Sequence, residues 1–172
     1  GISRGEYGEA DIVAYGLLFS KLSALESLYR DADGYFDNDR VAAALAEAEA
    51  EIRALTREED IAPLCEDASR EILGLVRDIE VSAAKAEITA RGETLLSRIE
   101  EYDYISTERL SIFKEELALI ISEAIENIDA VADAAGAAQA LLVAIEDIEA
   151  LEQRCEDDEL SSCKVSVRES LA

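Results

Sequence analysis

Histidine, methionine and tryptophan are absent from this chain, and proline occurs once, at Pro63. Without histidine there is no Ser-His or Cys-His nucleophile pair, no Glu-x-x-His di-iron set and no histidine-bearing zinc site. The eight glycines form neither Gly-x-Gly-x-x-Gly nor a phosphate-cradling loop, so a nucleotide has no evident seat. Aromatics make up only 5% of the residues, which argues against a β-protein rich in turns. No uninterrupted apolar run approaches the roughly 18 residues a membrane-crossing helix requires. Positive charge is scarce too: sixteen bases against forty acids leave a net charge of −24. A phosphate backbone is bound by releasing counterions to a positive surface, so nucleic acid and anionic membranes are expected to be poor partners.

What remains is helix-forming material. Apolar residues reach 49%, dominated by Ala, Leu and Ile, and glutamate is the prevailing charge. Acid excess with few lysines suits an ordinary acidic secreted protein and also a surface adapted to high salt. The lack of methionine, at position 1 included, reads as a mature or excised chain from which any signal peptide has been removed.

The strongest pattern is internal repetition. Leu18-Phe19-Ser20-Lys21-Leu22 is echoed by Leu95-Leu96-Ser97-Arg98-Ile99, and Tyr35-Phe36-Asp37-Asn38-Asp39-Arg40-Val41 by Tyr104-Ile105-Ser106-Thr107-Glu108-Arg109-Leu110. Ile72-x-x-Leu75 answers Ile145-x-x-Ile148. A tandem duplication of a three-helix unit, with a loop and a helical turn gained or lost, accounts for the spacings.

The first unit is expected over residues 9–80. Its helix A spans residues 9–30 with Tyr15, Leu18, Leu22, Leu25 and Tyr29 on one stripe, ended by a turn at Gly34. Helix B starts at Asp37 or Asn38 and turns Val41, Leu45, Ala48, Ile52 and Leu55 inward. Pro63 suits the first turn of helix C. From there no strong turn signal occurs until Asp103. Ile61, Ala68, Ile72, Leu75 and Ile79 make one frame, and Val81, Ile88, Leu95, Ile99 and Tyr102 make another. The second frame starts two residues after the first ends, which rotates the stripe by about 200°. A helix that serves one core and then another needs such a switch, so helix C of the first unit is expected to continue as helix A of the second. A break near Glu80-Val81-Ser82 is the alternative.

The second unit, residues 81–155, adds a helix after Ser106 or Thr107 that buries Leu110, Phe113, Leu117, Ile121, Ala124 and Ile128. After a turn around residues 132–136, Leu141, Ile145, Ile148 and Leu151 lead to Cys155. Residues 156–172 are expected to turn at the acidic run 156–159 and form a short helix or cap. The fold class is thus all-α: two tandem three-helix bundles sharing a long central helix, an elongated rod. Residues 1–8, with three glycines, are expected to be loose.

Two constellations carry possible chemistry. Asp31, Asp33, Asp37, Asn38 and Asp39 place five oxygen donors within nine residues, a weak calcium candidate. Aligned with the helix–loop–helix calcium pattern, Tyr29 and Arg40 fall where oxygen ligands are required, so a capping loop is the stronger reading. Cys155 and Cys163 flank the acidic turn and are expected to form a disulfide, with Cys65 a free buried thiol; that pairing would point to an oxidising, exported location. No catalytic residues and no cofactor are expected.

The run Ala84-Lys85-Ala86-Glu87, with Tyr104 and Ala124-Ile125-Glu126-Asn127-Ile128-Asp129, resembles the helical-bundle repeats strung along bacterial surface proteins, including FIVAR-like modules, over roughly residues 80–152. The shared helix is similar to the junction of consecutive spectrin-type repeats. The resemblance implies a spacer or binding module in an extracellular or cell-surface protein, with protein partners or self-association. The leading expectation is a non-enzymatic structural or interaction module, an acidic rigid helical spacer. A single-bundle ligand- or partner-binding protein, or a subunit of a surface filament, is the alternative.

Overall fold

The computed structural model describes residues 8–172, and every regular element among them is helical. Five α-helices follow one another: α1 (Glu9–Asp31), α2 (Asp39–Ala54), α3 (Ile61–Glu100), α4 (Thr107–Asp129) and α5 (Ala134–Leu171), with a short 3-10 turn at Glu58–Asp60. The expectation for residues 1–7 lies outside the described part of the chain. The chain divides into two compact units, Gly1–Val76 and Arg77–Ala172.

Cap chemistry sets most helix starts. The Asn38 side chain accepts from the backbone N–H groups of Arg40 and Val41, Ser106 accepts from Arg109, and Asp133 accepts from Gly136. Each satisfies N–H groups that the first helical turn leaves without a partner. Pro63 sits in the first turn of α3. That helix runs through Glu80, Val81 and Ser82 without interruption.

In the first unit α2 buries Val41, Ala44, Leu45, Ala48 and Ile52, and α3 buries Ile61, Ala68, Ile72 and Val76. Helix α1 departs from expectation. Of its anticipated stripe only Leu25 is buried, while Tyr15, Leu18 and Leu22 are 79%, 53% and 51% exposed. The helix is turned so that Ala24 and Leu28 face the interior. Its C-terminal end fixes that rotation. Ala32 is fully buried, the Ser69 hydroxyl donates to the Asp31 carboxylate at 2.5 Å, and the Cys65 thiol lies 3.8 Å from the Ala24 carbonyl oxygen. Gly34, at φ 88°, makes the turn, a conformation that side chains with a Cβ seldom adopt.

In the second unit one hydrophobic core joins three helical segments. Val81, Ala84, Ile88, Leu95 and Ile99 of α3 meet Leu117, Ala124 and Ile128 of α4 and Ala137, Ala144, Ile148, Leu151 and Cys155 of α5. Leu110, Phe113, Ile121, Leu141, Ile145 and Tyr102 pack at its margin. The Arg77 guanidinium donates to the Asp129 and Val131 carbonyl oxygens at 2.6 and 3.1 Å, covering acceptors that the end of α4 leaves open.

The expected turn at residues 156–159 is not there: α5 passes through them and ends at Leu171. No glycine or proline follows Gly136, so no residue favours a stop. The acidic run also has structural work. Glu159 accepts hydrogen bonds from the backbone N–H groups of Asp103, Tyr104 and Ile105 at 3.0 to 3.2 Å, and Asp158 pairs with Arg109.

Candidate functional site

The five oxygen donors of the calcium candidate loop are spent separately. Asn38 Oδ1 caps α2 at 3.0 and 3.1 Å, and Asp31 receives the Ser69 hydroxyl. Asp33, Asp37 and Asp39 are exposed. Backbone turns, Tyr35 N–H to Ala32 oxygen at 2.9 Å and Asn38 N–H to Tyr35 oxygen at 3.1 Å, shape the loop. Above it the Tyr29 and Phe36 rings approach to 6.1 Å, and the Tyr29 hydroxyl donates to Glu49 at 2.7 Å. That bond lowers the Glu49 carboxyl below, and raises the Tyr29 phenol above, their ordinary ranges. Among the described residues no group of three or more His, Cys, Asp or Glu is placed to hold a metal ion.

The disulfide expected between Cys155 and Cys163 is not formed. All three cysteines are free thiols. Both members of the expected pair lie on the unbroken α5, where eight residues span about 12 Å, twice the roughly 5.5 Å between Cα atoms that a disulfide tolerates. Cys155 is a core residue, fully buried, and burial pushes its thiol up to about 11. Cys65 is half-buried and shifted the same way, first by burial and then by the charges of Asp31 and Glu66.

Two grooves mark the surface of the second unit. One, of about 620 Å³, runs between α3 and α5 and is lined by Glu87, Arg91, Thr94, Glu149, Glu152 and Glu156 among others. Arg98 pairs with Glu152 on its rim. The other, of about 430 Å³, lies between Tyr104, Ser106 and Arg109 and the face of α5 carrying Asp158, Ser162 and Ser166. Both are open and of mixed polar and apolar lining, and solvated ion pairs of this kind contribute little stability each. No buried polar or charged residue exists among the described residues; the one buried side-chain polar atom without a partner is the Tyr102 hydroxyl.

Large apolar side chains are exposed on several helices. Ile12, Tyr15, Phe19 and Leu22 stand exposed along α1, and Leu160, Val167 and Leu171 along the end of α5. Of the first set the sequence stripe includes Tyr15 and Leu22, which it assigns to the core, and it omits Ile12 and Phe19. No helix among the described residues is long and apolar enough to cross a membrane. No protein family, curated protein or solved structure matches the chain.

Proposed function

We propose that the chain is a non-enzymatic structural or protein-interaction module, an acidic helical spacer belonging to an exported or cell-surface protein. The observation that carries this reading is α3. One uninterrupted helix of 40 residues buries Ile61, Ala68, Ile72 and Val76 before the switch, and Val81, Ala84, Ile88, Leu95 and Ile99 after it. At 1.5 Å per residue such a helix is about 60 Å long, and a rigid element of that length sets distances between whatever is attached to it. The hydrophobic interiors, free of buried polar residues among those described, favour a packing role over a reactive pocket. The exported setting draws on the acidic composition and on the resemblance to bacterial surface repeats. A single-bundle binding protein would need one core, whereas the chain divides into two compact units.

Amide hydrogen exchange through residues 77–84 tests the reading. A stiff spacer requires protection there comparable to that at Ile88 and Leu95, because a continuous helix opens only with the cores it feeds. Exchange within seconds across that stretch would make it a hinge and end the spacer reading.

A further inference from the structure

The end of α5 repeats the device by which α3 passes from one core to the next. In α3 the seam of the first unit ends at Val76 and that of the second begins at Val81. In α5 the last core residue is Cys155, and the next apolar residue, Leu160, again follows after five positions. The register then holds residue for residue. Val81, Ala84, Ile88 and Gly92 correspond to Leu160, Cys163, Val167 and Leu171, and Glu80 corresponds to Glu159, all at a spacing of 79. At 100° per residue, Leu160, Val167 and Leu171 share a face turned about 150° from the Leu151–Cys155 seam. In α3 the equivalent positions are buried; here Val167 is 50% and Leu171 83% exposed.

The start of α1 presents the other half of such a contact. Ile12, Tyr15, Phe19 and Leu22 recur at steps of three and four on one side of the helix, and Phe19 is 70% exposed. The charges are complementary as well. Residues 160–171 hold Lys164 and Arg168 against Glu169 alone, a small positive stretch on a chain of net charge −24. Residues 9–22, the span of that seam, hold Glu9 and Asp11 at its start and one base, Lys21, whose ammonium donates to the Arg53 carbonyl oxygen.

We infer that the exposed seam of α5 packs against the exposed seam of α1 in a second copy of the chain. The helices run antiparallel, which brings Arg168 toward Glu9 and Asp11 and sets the helix dipoles in opposition. Because the two surfaces differ, the contact is heterologous, and repetition yields head-to-tail assemblies, rings where the rotation closes and open chains where it does not. This rests on the structural-module reading and names its partner.

The test is sedimentation velocity on the full chain. It is run over about two decades of concentration up to roughly 0.5 mM, at about 0.15 M salt so that overall repulsion is screened beyond about 8 Å. The expected result is a weight-average mass that climbs past the dimer. Phe19→Glu and Val167→Glu alter exposed positions, and circular dichroism checks that each variant keeps its helices. Each alone lowers association at least tenfold, about 1.4 kcal/mol. Mixed in equal amounts, they form a heterodimer and stop there, since one intact α1 seam meets one intact α5 seam. A mass that stays at the monomer overturns the inference. So does association of the wild type without complementation by the mixed variants, which would mean a like-with-like contact. Neither result touches the spacer reading, which falls only with rapid exchange across residues 77–84.

Discussion

Gly92 of α3 lies directly beneath Ile121 of α4: a methyl group placed on Gly92 would overlap the Ile121 Cδ1 atom and press on Cγ1. Glycine inside a helix costs about 1 kcal/mol relative to alanine, so the site exchanges helix propensity for close packing. Gly92→Ala is therefore expected to destabilise the second unit by about 1 kcal/mol, the overpacking strain exceeding the propensity gain. In an Ile121→Val background, which lacks Cδ1, the same change should be neutral or stabilising. Urea unfolding of the four proteins in the double-mutant cycle measures the coupling, and additive effects would show that the two residues do not constrain each other.

Asn38 is expected to act as a cap and nothing more. Asn38→Ala should cost about 1 kcal/mol, the usual penalty for losing an N-cap acceptor. Added calcium at about 1 mM should leave the melting temperature unchanged, because a ligand stabilises only through a site it binds. A calcium-dependent rise that vanishes in Asn38→Ala would restore the metal reading of the loop.

The legible parts were those where one rule acted alone. Ser106, Asn38 and Pro63 announced helix starts through hydrogen-bond chemistry that is local to the chain. In α4 a single apolar face placed Leu117, Ala124 and Ile128 in the core. Helix α1 carries two apolar faces, and spacing alone does not choose between them; Ala24 and Asp31 do so through Cys65 and Ser69, some forty residues away. The end of α5 differs from its sequence expectation for the same reason. Glu156 to Glu159 resembles a solvated turn until the N–H groups of residues 103–105 supply a use for Glu159. The calcium loop and the disulfide were both inferred from residue types close in sequence, and helix geometry keeps the cysteines apart.

Glu159 should be the most consequential charge on the surface. Its carboxylate serves three backbone donors at the α3–α4 loop, and hydrogen bonds to an ionised acceptor are the stronger kind. Glu159→Ala is expected to cost about 1–3 kcal/mol and to speed amide exchange at Asp103, Tyr104 and Ile105. Glu159→Gln, with one acceptor oxygen and no charge, should fall between. If the alanine variant exchanges like the wild type at these amides, water replaces the carboxylate without loss and the loop does not depend on α5.

The cysteines give the sharpest chemical test. With all three thiols free, labelling of the unfolded, unreduced protein should count three, where the Cys155–Cys163 bridge would leave one. In the folded protein Cys155 should be the last to react. A thiol at about 11 is ionised at pH 8 in only about one molecule in a thousand, against about one in ten at the ordinary 9.0, and it is also fully buried. The same shift links stability to pH. Below 9 the thiol is protonated in both folded and unfolded chains, and its contribution is complete. Between 9 and 11 the unfolded chain releases the proton and the folded one holds it, so stability falls as pH rises, by up to about 2–3 kcal/mol in all. Cys155→Ala should lower stability at pH 7 through the lost sulfur and should flatten the decline above pH 9. An alkaline limb equally steep in that variant would assign it to the tyrosines instead, of which the half-buried Tyr102 is raised chiefly by desolvation.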